Sequence, residues 1–470
     1  MTSPSPAPRT EHDLIGSRML PAVLYGIHTL RAVENFPISG QRLVDAPDLI
    51  RALAAIKWAA ARTNAELGLL PQDKAEAIGQ ACADLIGGAF HDQFVVDLIQ
   101  GGAGTSSNMN ANEVIANLAL ARLGRAAGDY AHLHPNEDVN MGQSTNDVYP
   151  TALRLALLDA ADRLLDAMAG LEAAFADKAT EFADVIKMGR TQLQDAVPMT
   201  LGQEFATFAR MVGADRAALA AALPPLHQIN LGGTAIGTGL TTHPLYAPKV
   251  CAALRAITKR PLETAPDLIT ATQDVGDFVQ LSGALKRIAT KLSKICNDLR
   301  LLSSGPRAGL NDIDLPAMQA GSSIMPGKVN PVIPEVVNQI AFEVIGNDVT
   351  ITMAAEAGQL QLNAFEPVIF YSLRRSLDHL AAGCATLTQN CVRGITANRA
   401  RLADSVHRSI GLVTALNPVI GYELATEVAK EALAEDRSVV DIVTARALVA
   451  PDKLAELLRP EMLTNCAKAG

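Results

Sequence analysis

The sequence predicts a mainly α-helical fold with a central bundle of long helices, and three observations indicate it. Hydrophobic residues make up 49% of the chain but aromatic residues only 4%, and Ala and Leu, which favour helix over strand, fill the gap. Four segments, roughly 151–182, 200–223, 277–304 and 334–392, carry helical periodicity over lengths well beyond the average helix of about 11 or 12 residues. With 470 residues, the chain also exceeds the size at which one hydrophobic core keeps growing.

The domain organisation follows from where the long segments begin and end. We predict an N-terminal mainly helical domain over 1–143, a central long-helix bundle domain over 144–395 and a small C-terminal helical domain over 396–470. Residues 1–11 are rich in Pro and Ser and lack the apolar core of a signal peptide, so we expect a disordered tail there.

The first and the fourth long segments differ in how their apolar residues are distributed. In 151–182, Leu153, Leu157 and Leu164 recur at helical spacing while charges occupy the other faces, which is typical of an amphipathic helix. The segment 334–392 is apolar on nearly every side and is interrupted by Gly346 and Gly358. Such a helix must be covered all round, so we expect a homo-oligomer with a multi-helix core.

Charge and cysteine usage narrow the function to small ligands. The net charge of -9 comes from interspersed acidic and basic residues, which offers no basic stripe for nucleic acid and no polybasic anchor for a membrane. The six cysteines are far apart and form no Cys-x-x-Cys pair, so we expect reduced thiols and a cytoplasmic protein. No apolar run is long enough to cross a bilayer.

The connectors between the long segments are rich in hydroxyl and amide side chains. Each such group alone is well explained as a helix cap, but several at the starts of different helices would form a pocket for a small dicarboxylate. No phosphate-binding loop, metal-ligand spacing or nucleophile motif accompanies them, which leaves acid–base chemistry on an anion without a cofactor. The groups are Thr105, Ser106, Ser107, Asn108 and Asn110 in 100–112, Ser144, Thr145 and Asn146 in 134–150, and Thr191 and Gln192 in 189–198.

The stretch 321–331, GSSIMPGKVNP, combines two serines, a lysine and an asparagine with glycines and prolines. The prolines prevent helix, and the glycines permit hinge motion. We therefore expect a mobile lid that brings its donors to the ligand when it closes.

These residues carry a resemblance to a known family. GSSIMPGKVNP is similar to the signature of the aspartase/fumarase superfamily of lyases, and the match continues through YGIHTLRAVENF, QGGAGTSSNMNANEVIAN, GQSTNDVYPT, GRTQLQDAVPMTLGQEF and NLGGTAIGTGL. Within the superfamily, three segments resemble aspartate ammonia-lyases more than class II fumarases. They are residues 101–106, residues 142–147 and the segment AAEAGQLQLNAFEPVI. The resemblance implies reversible deamination of L-aspartate to fumarate and ammonia, in a homotetramer whose sites are shared between subunits. No cofactor is implied, although activation by a divalent metal remains open.

The resemblance also implies roles for the connector residues. Removing the proton beside a carboxylate requires donors that stabilise the second negative charge of an aci-carboxylate, and the family pattern assigns Thr105, Ser144, Thr145 and Ser323 to it, with Ser106 also in the substrate site. Lys328 and Asn330 are assigned to the other carboxylate, and Asn146, Thr191 and Gln192 to the amine. The expected catalytic residues are Ser322, Lys328 and Thr191.

Ser322 is implied as the base, which requires its alkoxide to be stabilised by Lys328, backbone N–H groups and exclusion of water. The alternative is that both serines only cap the helix that follows. Gln192 departs from relatives with His at this position, and no general acid is available there. Ammonia would then leave as ammonium without a dedicated proton donor.

Three further residues keep two interpretations each. Glu335 orients Gln192 or Lys328, or it is a solvated first-turn carboxylate. His134 belongs to a secondary anion site, or it is a turn histidine. Arg31 steers anions to the site, or it pairs with an acid of its own domain.

Two rival functions also remain at this point. The first is a class II fumarase-type hydro-lyase, which acts on malate in place of aspartate. The second is an inactive structural relative, which predicts erosion of the polar connectors, and these are intact.

Overall fold

Long helices dominate the computed structural model, which describes residues 7–464. The first three predicted long segments each form one helix, because burial of an apolar face stabilises helices that propensity alone would not. The α-helices are, in chain order, α1 (Ile27–Asn35), α2 (Pro47–Glu66), α3 (Gln72–Ile86), α4 (Thr105–Arg122), α5 (Thr145–Glu181), α6 (Leu201–Ala222), α7 (Tyr246–Thr258), α8 (Leu268–Gln273), α9 (Gly276–Leu302), α10 (Val332–Glu356), α11 (Glu366–Asn390), α12 (Arg399–Arg408), α13 (Asn417–Ile420), α14 (Tyr422–Glu435), α15 (Val439–Ala445), α16 (Pro451–Leu457) and α17 (Pro460–Leu463).

Within the described part of the chain, strands are short and pair only two at a time. They are β1 (Arg9–Asp13), β2 (Gly16–Leu20), β3 (Ile186–Thr191), β4 (Gln194–Thr200), β5 (Gln228–Ile229), β6 (Glu263–Thr264), β7 (Ile313–Asp314) and β8 (Thr396–Ala397). The pairs β1–β2, β3–β4 and β7–β8 are antiparallel, and β5–β6 is parallel. The predicted mainly α fold is therefore confirmed.

The chain separates into two compact units. Unit 1 comprises Met1–Leu165, Ala218–Arg287 and Glu343–His379, and unit 2 comprises Asp166–Ala217, Ile288–Phe342 and Leu380–Gly470. The division passes through the long helices and gives no test of boundaries near 143 and 395, so the three-domain organisation stays a prediction.

The helix bounds match three of the four predicted long segments closely and differ for the last. The segment 334–392 was expected to be interrupted at Gly346 and Gly358, and it forms two helices, α10 and α11, with a break over 357–365 that contains Gly358. Asn363 ends α10, since its side-chain Nδ2 donates to the carbonyls of Ala354 and Ala355 at 3.0 and 3.2 Å. Gly346, by contrast, lies inside α10 without breaking it.

The prediction of a disordered tail over 1–11 is wrong for its last residues. Arg9–Asp13 forms strand β1, and the Arg9 guanidinium donates to the carbonyls of Val23 and Tyr25 at 2.7 and 2.8 Å. Glu11 is buried and accepts from Arg9 Nε and from the Tyr130 hydroxyl. Residues 1–6 of the predicted tail lie outside the described residues.

The hydrophobic core follows the long helices in each unit. In unit 1, α2 packs on α3 and α7, and α3 packs on α4. In unit 2, the rings of Phe175, Phe182, Phe205 and Phe208 stack edge-on or tilted with centroids 5.3–6.1 Å apart, a favourable aromatic arrangement. Over residues 7–464, we find no helix with the length and apolar character needed to traverse a bilayer.

Candidate active site

In unit 1, helices α4 and α5 begin side by side. Gly104 precedes α4 at a φ of +89°, and a Cβ at this position would lie 2.3 Å from the ring of Tyr149 in α5. Only glycine tolerates both the left-handed backbone and this close approach. One turn into α4, Asn108 Nδ2 donates to the hydroxyl of Thr145, the first residue of α5, at 3.1 Å. The partial positive charges of two helix N-termini are thus brought together, as anion binding requires.

The predicted residues of this cluster lie at those two helix starts. Thr105 is the first residue of α4, half-buried, and its hydroxyl donates to the Gly102 carbonyl at 2.8 Å. Ser106 follows and is buried. Ser144 precedes α5, and its hydroxyl accepts from the N–H of Asn146 at 3.2 Å. We call Thr105, Ser106, Ser144, Thr145 and Asn146 the helix-end cluster.

A buried carboxylate fixes the start of α5. Asp147 Oδ1 accepts from the N–H of Ser144 at 2.9 Å, and its Oδ2 accepts from the N–H groups of Gly232 and Thr234, both at 2.9 Å. Asn146 Nδ2 in turn donates to the Ala235 carbonyl at 2.8 Å. The Gly-rich segment 230–239 is therefore held against the helix-end cluster by Asp147 and Asn146.

A buried lysine lies beneath the cluster. Lys57 of α2 is fully buried, and its Nζ donates to Asn140 Oδ1 at 2.8 Å and to Gln143 Oε1 at 2.9 Å. Burial lowers the pKa of Lys57 to about 7 against the opposing effect of Asp147. Burial likewise raises the pKa of Asp147 to about 6, although its three backbone donors oppose the shift. Lys57 and Asp147 are both buried ionisable groups with shifted pKa values, and such groups cluster at functional sites.

In unit 2, Thr191 and Gln192 lie at the tip of the β3–β4 hairpin. Thr191 pairs with Gln194, and the two residues between them, Gln192 and Leu193, have φ angles of +52° and +64°. Two consecutive left-handed residues form the type I′ turn that suits a tight hairpin, but neither is the usual Gly or Asn, so the turn is strained. The segment 189–198, interpreted from sequence as a connector, is thus mostly hairpin.

Ion pairs anchor this hairpin below its tip. Arg190, the residue before Thr191, donates to the buried carboxylate of Asp312 at 2.6 Å, and Lys187 lies 3.4 Å from the same carboxylate. On the other strand, Asp195 accepts from the hydroxyl of Ser409 at 2.8 Å. The tip itself remains exposed.

In the loop 321–331 of unit 2, the Ser322 hydroxyl accepts hydrogen bonds from the backbone. Its Oγ accepts from two backbone N–H groups, those of Ile324 at 3.2 Å and Met325 at 2.9 Å. Hydrogen bonds to an oxygen favour its ionised form. The same two bonds would cap a short turn, but the turn they close is the loop itself and not α10, which begins at Val332.

The loop is closed on itself at its base. Gly321 N–H donates to the Lys328 carbonyl at 2.9 Å, and Asn330 Nδ2 donates to the Gly321 carbonyl at 2.7 Å. A Cβ on Gly321 would lie 2.4 Å from that Lys328 oxygen, which explains the glycine. Ser323 and the Lys328 side chain are exposed to solvent.

The structure shows the surroundings of Arg31, His134 and Glu335, each of which had two interpretations. Arg31 makes a bidentate pair with Asp13 at 2.7 and 2.9 Å, which confirms pairing within its own domain. His134 Nδ1 accepts from the N–H groups of Asn136 and Glu137, as a turn histidine does. Glu335 lies in the first turn of α10, where a carboxylate complements the helix dipole, and its contact with Gln192 or Lys328 stays a prediction.

Sequence reasoning missed three polar residues that support the helix-end cluster: Lys57, Asn140 and Asp147. Asn108 was included among the connector groups of the expected pocket, whereas Asp147 lies inside a quoted motif but received no role. A signal for Lys57 exists, because it is the one charge among the buried residues Leu53–Ala61 of α2. Asn140 has no comparable signal, since its importance comes only from contacts with distant residues.

Glu366 lies in the quoted segment AAEAGQLQLNAFEPVI, where sequence reasoning assigned it no role, and it is a buried carboxylate. It begins α11 and is 3% exposed. Burial raises its pKa to about 8, with Arg154 opposing the shift. Among the residues that the structure describes, no three His, Cys, Asp or Glu side chains are grouped to hold a metal ion.

Comparisons with known proteins converge on one family. A lyase family model matches residues 21–346, and a fumarase C C-terminal model matches 412–465. An aspartate ammonia-lyase from Pseudomonas aeruginosa is 59% identical, covering 98% of this chain and 97% of the relative. A solved structure described as fumarate lyase:delta crystallin from Brucella melitensis bound to cobalt is 54% identical, with a TM-score of 0.94 and coverage of 96% and 98%. A class II fumarase from Schistosoma mansoni is 33% identical, with a TM-score of 0.92 and coverage of 97% and 99%.

Proposed function

Because the chain belongs to the aspartase/fumarase superfamily of lyases, we propose that it is an aspartate ammonia-lyase, which converts L-aspartate reversibly to fumarate and ammonia. The 59% identity to an aspartate ammonia-lyase over nearly the full length, against 33% to a class II fumarase, supports the choice within the superfamily. The observation that carries the chemistry is the paired start of α4 and α5, which gathers five polar residues at two helix N-termini.

The helix-end cluster is proposed to hold the reacting carboxylate of the substrate. Deprotonation of the neighbouring carbon places a second negative charge on this carboxylate, so donors that strengthen with charge lower the barrier. The hydroxyls of Ser144 and Thr145 and the N-terminal dipoles of α4 and α5 are suited to this task. The Thr105 hydroxyl is proposed to join them by turning from the Gly102 carbonyl to the substrate. Ser323 of the loop is proposed to add a further hydroxyl.

Ser322 is proposed as the base that removes the proton from the carbon. A serine hydroxyl is a weak base unless its anion is stabilised. The two N–H groups that reach Ser322 Oγ are suited to stabilise that anion, and Lys328 would add a positive charge when the loop closes. We propose that the proton passes from the carbon to Ser322 Oγ and that the C–N bond then breaks with the electron pair leaving on nitrogen.

The remaining polar residues are proposed to bind the other end of the substrate. Lys328 and Asn330 hold the second carboxylate, and Asn146, Thr191 and Gln192 bind the amine. Since Gln192 has no titratable ring, the substrate's ammonium group leaves as neutral ammonia without a proton from this side chain, and water protonates the ammonia after it departs. The strained turn at Gln192 is consistent with a functional tip, because such strain clusters at functional sites.

A homotetramer with sites shared between subunits is part of the proposal. The outer face of α10 supports association, since Phe342, Val349 and Met353 are 62%, 56% and 67% exposed in the single chain, an apolar stripe that a partner would cover. We also propose a cytoplasmic location, which suits the free, buried cysteines among the described residues.

The proposed chemistry uses residues of this chain and requires no cofactor. A divalent metal would act, if at all, as an activator, and its addition to chelator-treated enzyme measures that effect. We expect activity in the presence of a chelator, and complete loss that metal restores would contradict the cofactor-free proposal.

One assay separates the proposed activity from its rivals. Purified protein is supplied with L-aspartate or L-malate, and fumarate is followed by its ultraviolet absorbance. The proposal expects rapid fumarate formation from L-aspartate and little from L-malate. The reverse preference would establish a fumarase-type hydro-lyase, and inactivity toward both by folded protein would favour a structural relative.

A further inference from the structure

A threonine hydroxyl can both donate and accept hydrogen bonds. The Thr145 hydroxyl can donate to a substrate only if its hydrogen is not already donated to another group of the protein. Asn108 Nδ2, an atom that can only donate, lies 3.1 Å from Thr145 Oγ1. The hydroxyl oxygen therefore accepts from Asn108. Its own hydrogen is left for an acceptor other than Asn108, such as a substrate carboxylate.

The orientation of Asn108 is set by a buried chain of amides. Asn108 Nδ2 also donates to Asn140 Oδ1 at 3.2 Å, and Asn112 Nδ2 donates to the same oxygen at 3.1 Å. If the Asn108 amide were turned over, its oxygen would face the Asn140 oxygen, and two acceptors would meet in a buried site. Such a contact is unfavourable where no water can intervene.

The orientation of Asn140 is fixed in turn from two sides. Lys57 Nζ donates to Asn140 Oδ1 at 2.8 Å. On the other side, Asn140 Nδ2 donates to the Gln143 carbonyl at 3.1 Å. The Gln143 carbonyl can only accept, so it requires the Asn140 nitrogen to face it and the Asn140 oxygen to face the network. Lys57 and Asn108 both donate to that oxygen, and Asn108 donates in addition to Thr145.

The opposite edge of the Asn108 amide supplies no competing anchor. Its Oδ1 is buried and has no hydrogen-bond partner among residues 7–464. The side chain is thus held in this orientation by what its nitrogen meets, namely Asn140 and Thr145. A change at this one amide therefore acts directly on the hydrogen bond to Thr145.

We propose that Asn108, oriented by Asn140 and Lys57, is a positioning residue that makes the Thr145 hydroxyl a hydrogen-bond donor to the reacting carboxylate. The inference rests on the proposed function, which places Thr145 at that carboxylate. Asn108 itself touches neither substrate nor reacting atoms in this account. It acts by fixing the direction of one hydroxyl.

The test is a double-mutant cycle in the full-length enzyme. Asn108→Asp presents only acceptor oxygens, so Thr145 must donate inward and loses its bond to the substrate. We expect kcat/KM for L-aspartate to fall at least about tenfold, the usual scale for a hydrogen bond to a charged group, with most of the loss in kcat because charge grows in the transition state. In a Thr145→Val background, Asn108→Asp should cost less than about threefold, no more than Asn112→Asp costs the wild type, because no hydroxyl remains to redirect and only the added acceptor acts.

Asn112→Asp is the matched control. Asn112 lies one turn further along α4 and donates to the same Asn140 oxygen, but its other contact is with Met109 Sδ. General damage to the amide network would affect both variants alike. We expect a loss in kcat/KM of less than about threefold for Asn112→Asp. The hydrogen bond that this variant removes joins Asn112 to Asn140 and does not involve Thr145, and a hydrogen bond between neutral groups contributes little.

Three results would overturn the inference. Losses that multiply in the cycle would show that Asn108 acts independently of Thr145, and equal losses in Asn108→Asp and Asn112→Asp would show only network damage. If Thr145→Val alone retained full activity, the proposed role of Thr145 would fail first and the inference with it. Should Asn108→Asp not fold, Lys57→Met in the same cycle asks the same question from the other end of the chain, and multiplying losses there would equally refute it.

Discussion

At the scale of single residues, Asp147 connects more parts of the site than any of the predicted substrate-binding residues does. One carboxylate satisfies the N–H of Ser144 at the start of α5 and the N–H groups of Gly232 and Thr234. Buried N–H groups must find acceptors, so the carboxylate couples the position of the 230–239 segment to that of Ser144. The site thus depends on a residue that contacts no substrate in the proposed mechanism.

Replacement of this carboxylate by an amide should therefore lower both stability and activity. Asp147→Asn turns one acceptor oxygen into a donor, and each buried N–H left without an acceptor costs about 1–3 kcal/mol. We expect a lower Tm by calorimetry and a fall in kcat/KM of at least about tenfold, because the Ser144–Asn146 segment shifts. Asp267→Asn is the control, since Asp267 caps α8 by similar bonds at the surface, and unchanged activity in Asp147→Asn would contradict this account.

Glu366 predicts a pH dependence of stability. Its pKa is raised from 4.5 to about 8, so the folded state favours the protonated form, and this contribution is complete at low pH and lost as pH rises through about 8. Glu366→Gln stays neutral and should lose less Tm than the wild type between about pH 6 and pH 9. Glu423→Gln, an exposed first-turn glutamate of α14, serves as the control, and parallel Tm profiles for wild type and Glu366→Gln would refute the prediction.

Residue types could be predicted from the sequence, but their partners could not. The hydroxyl and amide groups of the connectors were identifiable because Thr105, Ser144 and Thr145 stand at positions where helices begin. The network of Lys57, Asn140 and Asn108 depends on side chains that are 32 to 83 residues apart. No local pattern encodes such distances, because packing of α2 against neighbouring elements creates them.

At the scale of elements, the β3–β4 hairpin combines strain with exposure. Gln192 and Leu193 both adopt left-handed conformations, which cost a non-glycine residue roughly 1 kcal/mol or more. Leu193 is 70% exposed, so its side chain contributes little packing to offset that cost. The hairpin is therefore held by its backbone pairing and by the contacts of Arg190, Lys187 and Asp195 below the tip.

Relief of this strain should stabilise the hairpin. Leu193→Gly keeps the turn and removes the steric penalty, and we expect an unchanged or higher Tm, by the equivalent of up to about 1 kcal/mol. Leu193→Val, which adds β-branching at a positive φ, should lower Tm instead. A clear fall in Tm for Leu193→Gly, measured beside Leu193→Val, would show that the Leu193 side chain stabilises the fold.

Some element boundaries follow from hydrophobic periodicity in the sequence, and others depend on single side-chain contacts. The long helices were predictable because apolar repeats such as Leu153, Leu157 and Leu164 continue over many turns. The break at Gly358 was indicated too, but the contact that ends α10 was not, since it depends on Asn363 reaching back to two carbonyls. Strand β1 was missed for the same reason, because Arg9 is anchored by carbonyls of a later segment.

At the scale of the whole molecule, the exposed stripe on α10 is the strongest indication of association. Phe342, Val349 and Met353 recur along one helix with exposures above half, and monomeric proteins rarely leave such a continuous apolar patch open. The proposed tetramer would bury it. Activity should then depend on assembly, because each proposed site draws on several subunits.

A charge on this stripe should dissociate the oligomer and abolish activity. Met353→Glu places a carboxylate in the proposed interface, where an unpaired buried charge is strongly unfavourable. We expect a smaller species by light scattering after size exclusion, with little lyase activity. Leu433→Glu is the control, since Leu433 of α14 has the same 67% exposure, and an intact tetramer or an active dissociated chain from Met353→Glu would contradict the shared-site proposal.

The central claim is that Ser322, with two N–H groups on its Oγ, removes the proton from L-aspartate, and Ser322→Ala tests it most directly. Fumarate formation from L-aspartate is followed by absorbance for wild type, Ser322→Ala and the control Ser303→Ala, whose hydroxyl donates only within the end of α9. The account predicts a fall in kcat of at least about a hundredfold for Ser322→Ala, the contribution typical of a positioned base, with near wild-type rates for Ser303→Ala. Full turnover by folded Ser322→Ala would contradict it.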